Sequence, residues 1–159
     1  MSWVIRRLGI GDIDAVRALE QKIPEAPHWN RQDYERCIAS DEGASPLRAG
    51  FVAEVDGNLV GFSAGKLVAG VCELESIAVA TEARGQGIGA ALLSTVAGWA
   101  QASGAHRIEL EVRSLSRRAI NLYERAGLRR DGLRAGYYHF PDDDALLMSA
   151  GLPTGGKLA

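Results

Sequence analysis

Apolar residues in the first third of this chain recur at helical spacing, those in the middle alternate every second position, and those in the last half switch between the two. Val4, Ile5 and Leu8 predict a short opening strand. Gly11 and Asp12 then cap a helix with Ile13, Val16, Leu19 and Ile23 on one face, and Pro24 and Pro27 end it. Asn30 is placed to cap a second helix, with Asp33 at its third position and Tyr34, Cys37 and Ile38 on the buried side. Residues 41–46 read as a loop. Residues 50–55 and 59–68 read as strands joined by Asp56-Gly57-Asn58, because Asp-Gly supplies the positive φ angles of a two-residue hairpin. A second hairpin turns near Ala69-Gly70 into a strand over 71–79.

From there the alternation lengthens. Residues 87–103 predict an Ala- and Leu-rich helix, 106–113 a strand of the form IELEV, 116–126 a helix and 128–133 a further strand. One more strand, LLM at Leu146 to Met148, is expected to return along the sheet edge. The fold class is therefore α/β (α+β): a mixed sheet of six to seven strands with about four helices, antiparallel in its front half. One domain over 1–150 accounts for the pattern, with a Gly/Pro-rich tail over 151–159.

A chain of 159 residues buries roughly two thirds of its unfolded surface and needs no staples. Cys37 and Cys72 lie far apart outside any CxxC or His-rich context, so buried thiols are expected rather than a metal site or a disulfide. Eighteen basic against twenty acidic residues give a net charge of −2, which argues against a nucleic-acid partner. No apolar run reaches the ~18 residues of a membrane span, and MSWVIRR turns polar too early for a signal peptide. A soluble cytoplasmic protein, monomeric or weakly homodimeric, is the expectation.

The candidate chemistry begins at "EARGQGIGAAL", residues 82–92, where three glycines in five positions stand behind an arginine and ahead of a helix. Such glycines let backbone approach a ligand closely, and the helix start aims free N–H groups and a partial positive charge at the same place. The pyrophosphate of a dinucleotide and that of coenzyme A are the two candidates. Gly85 to Ala90 satisfies GxGxxG/A, with Glu109 or Glu111 near the offset of a ribose-binding acid. A dinucleotide turn, however, runs from its strand straight into the first glycine, whereas Ala80 to Arg84 intervene here. No βαβ unit precedes the loop either. An anion nest at a helix start is the better reading.

The segment "LESIAVATEARGQGIGAALL" resembles the acetyl-CoA-binding motif of the GNAT acetyltransferase superfamily, and the element order above is that family's order. "IELEVRSLSRRAINLYERAGL", "RAGYY…DDDALLM" and "PHWNRQDY" are similar to the RimI branch, whose members acetylate protein N-termini; together these cover residues 3–149. The resemblance implies the GNAT fold, with a parallel strand pair splayed at the coenzyme site. It implies coenzyme contacts from Ile77, Ala78 and Val79 on the strand, from Arg84, Gly85, Gln86, Gly87, Ile88, Gly89 and Ala90 in the loop, and from Ser116 and Tyr123. A main-chain N–H of Ala78 or Val79 would polarise the acyl carbonyl. Ser116 stands where the family usually has a coenzyme-bonding asparagine, and Asn121 lies on another helix face from Tyr123.

Acetyl transfer to an amine needs a neutral amine, a polarised carbonyl and a protonated leaving thiolate. On IELEV, Glu109, Glu111 and Arg113 share one side and Ile108, Leu110 and Val112 the other, an unusual charge load for an interior strand. The resemblance matches Glu111 to the general base, acting through a water, and Tyr123 to the general acid at the coenzyme sulfur. Glu73 and Glu75 on the preceding strand are rival bases. Tyr137 and Tyr138, on the expected loop before the last strand, resemble the pair that grips a peptide backbone, with Trp29 and Tyr34 as the opposite wall and Glu75 also in reach of the acceptor. Asp142, Asp143 and Asp144 are either solvated surface or an attractor for a basic peptide. Three functions stay open: transfer from acetyl-CoA to a protein N-terminus such as that of a ribosomal protein, transfer to a small amine, and acyl-CoA binding without catalysis.

Overall fold

Asp56 and Gly57 turn the chain with φ of 50° and 79°, as Asp-Gly favours, whereas Ala69 and Gly70 turn it with 49° and 80°, Gly70 suited to the left-handed region and Ala69 held there against its preference. They join β2 (Leu47–Val55), β3 (Asn58–Val68) and β4 (Val71–Val79) into an antiparallel meander, with β1 (Trp3–Arg7) paired to β2 on its outer side. The computed structural model describes residues 2–38 and 45–153, so most of the loop expected over 41–46 lies outside the described residues. The front half is completed by α1 (Ile13–Gln21) and α2 (Arg31–Arg36). Asn30 Oδ1 accepts from the Asp33 amide at 3.0 Å while Asp33 returns the bond to the Asn30 amide, a reciprocal cap on α2.

The second half runs α3 (Ile88–Ala102), β5 (Arg107–Arg113), α4 (Arg117–Arg125), β6 (Arg129–Tyr138) and β7 (Asp143–Gly151). All seven strands form one sheet in the order β1-β2-β3-β4-β5-β7-β6. Helix α3 buries Ile88, Leu92, Leu93, Val96, Ala97 and Ala100 against β2, β3 and β4. At about 1.5–3 kcal/mol per large side chain, that face anchors the glycine loop ahead of it.

Two expectations need correction. The last strand does not return along the edge: β7 inserts between β5 and β6, pairing antiparallel with both, and β6 is the edge. The burial pattern explains it, since β7 is covered almost throughout from Ala145 to Ala150 whereas β6 is exposed along most of its length. Of the tail expected over 151–159, Gly151 closes β7 and Leu152 is buried with its amide on the His106 carbonyl at 2.8 Å, while residues 154–159 lie outside the described residues. Cys37 and Cys72 are buried free thiols as expected, both pushed up to about 12 by burial.

One polar cluster sits inside this core. Glu20 on α1 is 1% exposed; one carboxylate oxygen accepts from Ser76 Oγ on β4 at 2.8 Å and the other from the Tyr34 hydroxyl on α2. Burial raises its pKa above the ordinary glutamate value, against the lowering effect of those two bonds. A carboxyl whose folded pKa is raised contributes stability below its unfolded pKa, near 4.3, that is lost as pH rises through the folded value. Glu20→Gln cannot ionise, so its Tm relative to the native chain should rise progressively as pH increases from about 4.3, the unfolded value. Glu20→Ala, which leaves two buried hydroxyls without their acceptor, should cost about 3 kcal/mol near pH 4, a cost that shrinks as pH rises and the native carboxyl is forced to ionise. Thermal melts at several pH values test both, and a pH-independent gap for Glu20→Gln would show that the buried carboxyl is not the titrating group.

Candidate active site

Strands β4 and β5 pair in parallel only over Val71–Glu73 and Arg107–Glu109. Beyond those three pairs they part, β4 staying with β3 and β5 with β7, and a cleft of about 1420 Å³ opens between them. Glu75 and Glu111, each two residues past the last paired position, stand at the same level on its two lips. Glu75 is also an extra residue in the β3–β4 ladder: Leu74 pairs with Gly65 and Ser76 with Ala64, so a bulge bends β4 where the splay begins.

The glycine loop closes one end of the cleft. Gly85 and Gly87 adopt φ of 79° and 86°, and a Cβ on either would meet nothing within 4 Å, so space is left on the loop's open side. The first main-chain bond of α3 runs from Ala91 N to Gly87 O at 3.1 Å. The amides of Ile88, Gly89 and Ala90 therefore have no helical partner, and all three residues line the cleft together with Gly85 and Gly87. This arrangement fits a pyrophosphate-bearing coenzyme. Gln86 stands apart from the lining, and its carbonyl accepts from Trp3 Nε1 at 3.3 Å. Gly87→Leu should weaken CoA binding ~100-fold, about the loss of one or two charge-assisted amide bonds. The left-handed backbone adds ~1 kcal/mol of strain and lowers Tm by only a few degrees. Calorimetric titration with CoA checks this, and unchanged affinity would remove the loop from the binding site.

Ile77, Ala78 and Val79 all line the cleft. Ala80 N donates to Val60 O at 2.8 Å, on the β3 side, so strand alternation turns the amide and carbonyl of Val79 the other way, into the splay, and those of Ala78 toward β3. Arg84 Nε donates to the Val79 carbonyl at 3.2 Å, leaving the Val79 amide as the donor that faces the cleft.

On the opposite lip Glu111 and Arg113 lie on one face of β5 while Ile108, Leu110 and Val112 are buried on the other. Glu111 Oε1 is 3.2 Å from a guanidinium nitrogen of Arg134 on β6. Tyr123 and Ser116 of the α4 segment line the same cleft, and Tyr123 is 5% exposed. Burial, followed by the nearby Tyr138, holds the Tyr123 hydroxyl well above the usual tyrosine range. At neutral pH it is therefore a protonated O–H, able to donate.

Tyr137 and Tyr138 end β6 rather than occupying a loop, and both line the cleft mouth. Their rings meet edge to face at 5.0 Å. The expected opposite wall is displaced. Tyr34 is fully buried, bonded to Glu20 and packed at 5.7 Å from Phe62, and Trp29 packs on both rings and lines a separate small recess with Asp33, Arg36, Arg48 and Glu75. The wall is built instead from Ile23, Glu25, Ala26 and Pro27 after α1. Helical spacing marked Tyr34 as buried in the sequence, and that signal outweighs its aromatic character. Asn121 lines the cleft as well, with Arg117, Arg118 and Arg125 on the same helix. The bulge at Glu75 had a signal too, in the glycine inside strand β3 opposite it.

The aspartate run is largely structural. Asp143 accepts from Ser114 Oγ and from the amides of Leu115 and Asp144, and Asp144 accepts from the Gly136 amide at 2.9 Å; Asp142 alone faces outward, 3.4 Å from His139. These bonds pin the β6–β7 turn to the start of α4. Among the described residues no group of three His, Cys, Asp or Glu side chains is placed to hold a metal, and no helix is long and apolar enough to cross a membrane.

Comparison with known proteins agrees with this geometry. Residues 13–128 match the model of the Acetyltransferase (GNAT) family. The chain is 31% identical over 147 residues to the ribosomal protein bS18-alanine N-acetyltransferase of Escherichia coli (strain K12), covering 91% of this chain and 95% of that one. It is 36% identical over 115 residues to an N-alpha-acetyltransferase of Sulfurisphaera tokodaii, covering 64% and 68%. The crystal structure of the ribosomal-protein-S18-alanine N-acetyltransferase from Escherichia coli superposes with a TM-score of 0.80 at 25% identity, covering 98% of this chain and 97% of that one. With a splayed strand pair, a helix start whose free amides line the cleft and a family match spanning most of its length, this chain belongs to the GNAT acetyltransferase family and is an acetyl-CoA-dependent N-acetyltransferase.

Proposed function

We propose that the acceptor is the N-terminal α-amine of a protein, as in the RimI-like relatives, a ribosomal protein being the type of substrate their names record. The observation that carries this reading is the Tyr137–Tyr138 pair at the mouth of the cleft that also holds Glu111 and Tyr123. A small amine offers such a pair little to grip, whereas the first peptide groups of a chain present amides and carbonyls to two phenolic hydroxyls.

When bound, acetyl-CoA supplies an acyl group activated as a thioester. The amides of Ile88, Gly89 and Ala90 hold its anionic end, and the Val79 amide donates toward the acyl oxygen. Glu111 takes the proton from the incoming amine through a water. Tyr123 donates its hydroxyl toward the leaving sulfur and stabilises the charge developing there. The protonation balance favours an α-amine: its pKa of 7.7–8.0 lies ~2.5 units below that of a lysine, a difference of about 3.4 kcal/mol that a carboxylate base working through water need not supply.

The test is competition between a peptide with a free N-terminus and no lysine and an Nα-blocked peptide with an internal lysine, followed by mass spectrometry. Acetylation of the first is expected. Acetylation mainly of the blocked peptide refutes the reading, and acetylation of neither, with turnover of polyamines or amino acids, transfers it to small amines.

A further inference from the structure

We infer that Arg134 is a positioning residue that ties the acceptor grip to the strand bearing the base, an inference that rests on the reading of Tyr137 and Tyr138 as that grip. Among the described residues edge strand β6 has no neighbour beyond it, and its ladder with β7 slips near the cleft: Arg134 pairs with Ala145 and Tyr138 with Asp143, so residues 135–137 oppose the single residue Asp144. No ladder pairing therefore sets where Tyr137 stands. Side chains do. The Arg134 guanidinium lies 4.8 Å from the centre of the Tyr137 ring and reaches Glu111 Oε1 at 3.2 Å, crossing over β7 to β5. The Tyr137 ring meets the Tyr138 ring, which in turn lies 4.4 Å from the Arg113 guanidinium. Arg113 also donates to the carbonyls of Pro141 and His139, at 2.8 and 3.3 Å.

The series Glu111, Arg134, Tyr137, Tyr138, Arg113 thus leaves β5 and comes back to it two residues later. The small side chain of Ala145, paired with Arg113 on one side and Arg134 on the other, leaves room for both arginines to lie over β7. The Arg134–Glu111 pair is half exposed and adds little to stability, so its use is geometric: the residue that takes the proton and the ring that holds the substrate are set by one guanidinium. A planar guanidinium can stack on a ring and bond a carboxylate together, which an ammonium cannot.

Steady-state kinetics of Arg134→Met and Arg134→Lys with a free-N-terminus peptide, alongside acetyl-CoA affinity, test the inference. Arg134→Met is expected to raise the peptide KM ~10-fold and lower kcat several-fold with acetyl-CoA affinity unchanged. Arg134→Lys keeps a charge beside Glu111 but loses the stacking plane, so kcat should recover while KM stays high; a purely structural residue would not divide the two constants in this way. On a Tyr137→Leu background, Arg134→Met should add no further increase in KM. Native peptide KM in both arginine variants, or effects of Arg134→Met and Tyr137→Leu that multiply, would overturn the inference and leave the N-terminal reading standing. A native enzyme that acetylates small amines and no peptide would overturn both.

Discussion

Tyr123→Phe is expected to lower kcat by ~10²–10⁴-fold while acetyl-CoA affinity and Tm barely move. Removing one oxygen keeps the ring that packs in the α4 face, so the core loses almost nothing; what goes is the O–H that α4 presents to the cleft. Because burial lifts this hydroxyl above the usual tyrosine range, Tyr123 is a weaker acid than a free tyrosine and complete proton handover to a thiolate is uphill. The contribution expected of it is then a directed hydrogen bond to developing negative charge. A second consequence follows for pH. Ionisation of Tyr123 should cause no loss of kcat up to about pH 10, the ordinary tyrosine value. Rate measurements on both enzymes with a free-N-terminus peptide test this, and a phenylalanine variant within threefold of the native kcat would remove Tyr123 from the chemistry.

Glu111→Gln should lower kcat by a similar ~10²–10⁴-fold, and Glu75→Gln by far less. Both carboxylates stand at the same level of the splay, and both are paired with an arginine, Glu111 with Arg134 at 3.2 Å and Glu75 with Arg48 at 3.3 Å. Their surroundings separate them. Glu111 faces the tyrosine pair, and its charge is among the causes that raise the Tyr138 hydroxyl, after burial. Glu75 lines the cleft as well but also borders the recess formed by Trp29, Asp33, Arg36 and Arg48, where Arg48 holds it. The Glu111–Arg134 pair is half exposed, and such pairs contribute ~1 kcal/mol or less, so Glu111→Gln should change Tm by no more than a few degrees and its kinetic effect is not confounded by unfolding. A nearly silent Glu111→Gln beside a crippled Glu75→Gln would move the base to β4.

Residues that act through their neighbours in the chain were legible from the sequence. The Asp-Gly turn, the Asn30 cap, the helical stripe of α1 and the charged face of IELEV all depend on backbone preference or on strict periodicity, and each formed where its pattern put it. The glycine loop belongs with them: positive φ at Gly85 and Gly87 and a helix start just after are local facts, and the free amides at that end of the cleft follow from them.

What the tertiary structure alone decided is which element lies beside which. Periodicity says that a face is buried, not what covers it, so Tyr34 was legible as a buried residue while its bond to Glu20 and its absence from the cleft were not. The apolar run of β7 and the polar run of β6 did carry a signal of interior and edge, yet insertion of β7 beside β5 is a pairing between segments more than thirty residues apart, chosen by burial of the whole sheet. The same non-local choice sets Arg134 over β7 within reach of Glu111, and it splays β4 from β5 after three pairs because each strand finds a longer ladder on its other side. Local chemistry supplied the parts of this site, and the competition between strand pairings, which no short window of sequence contains, brought them around one cleft.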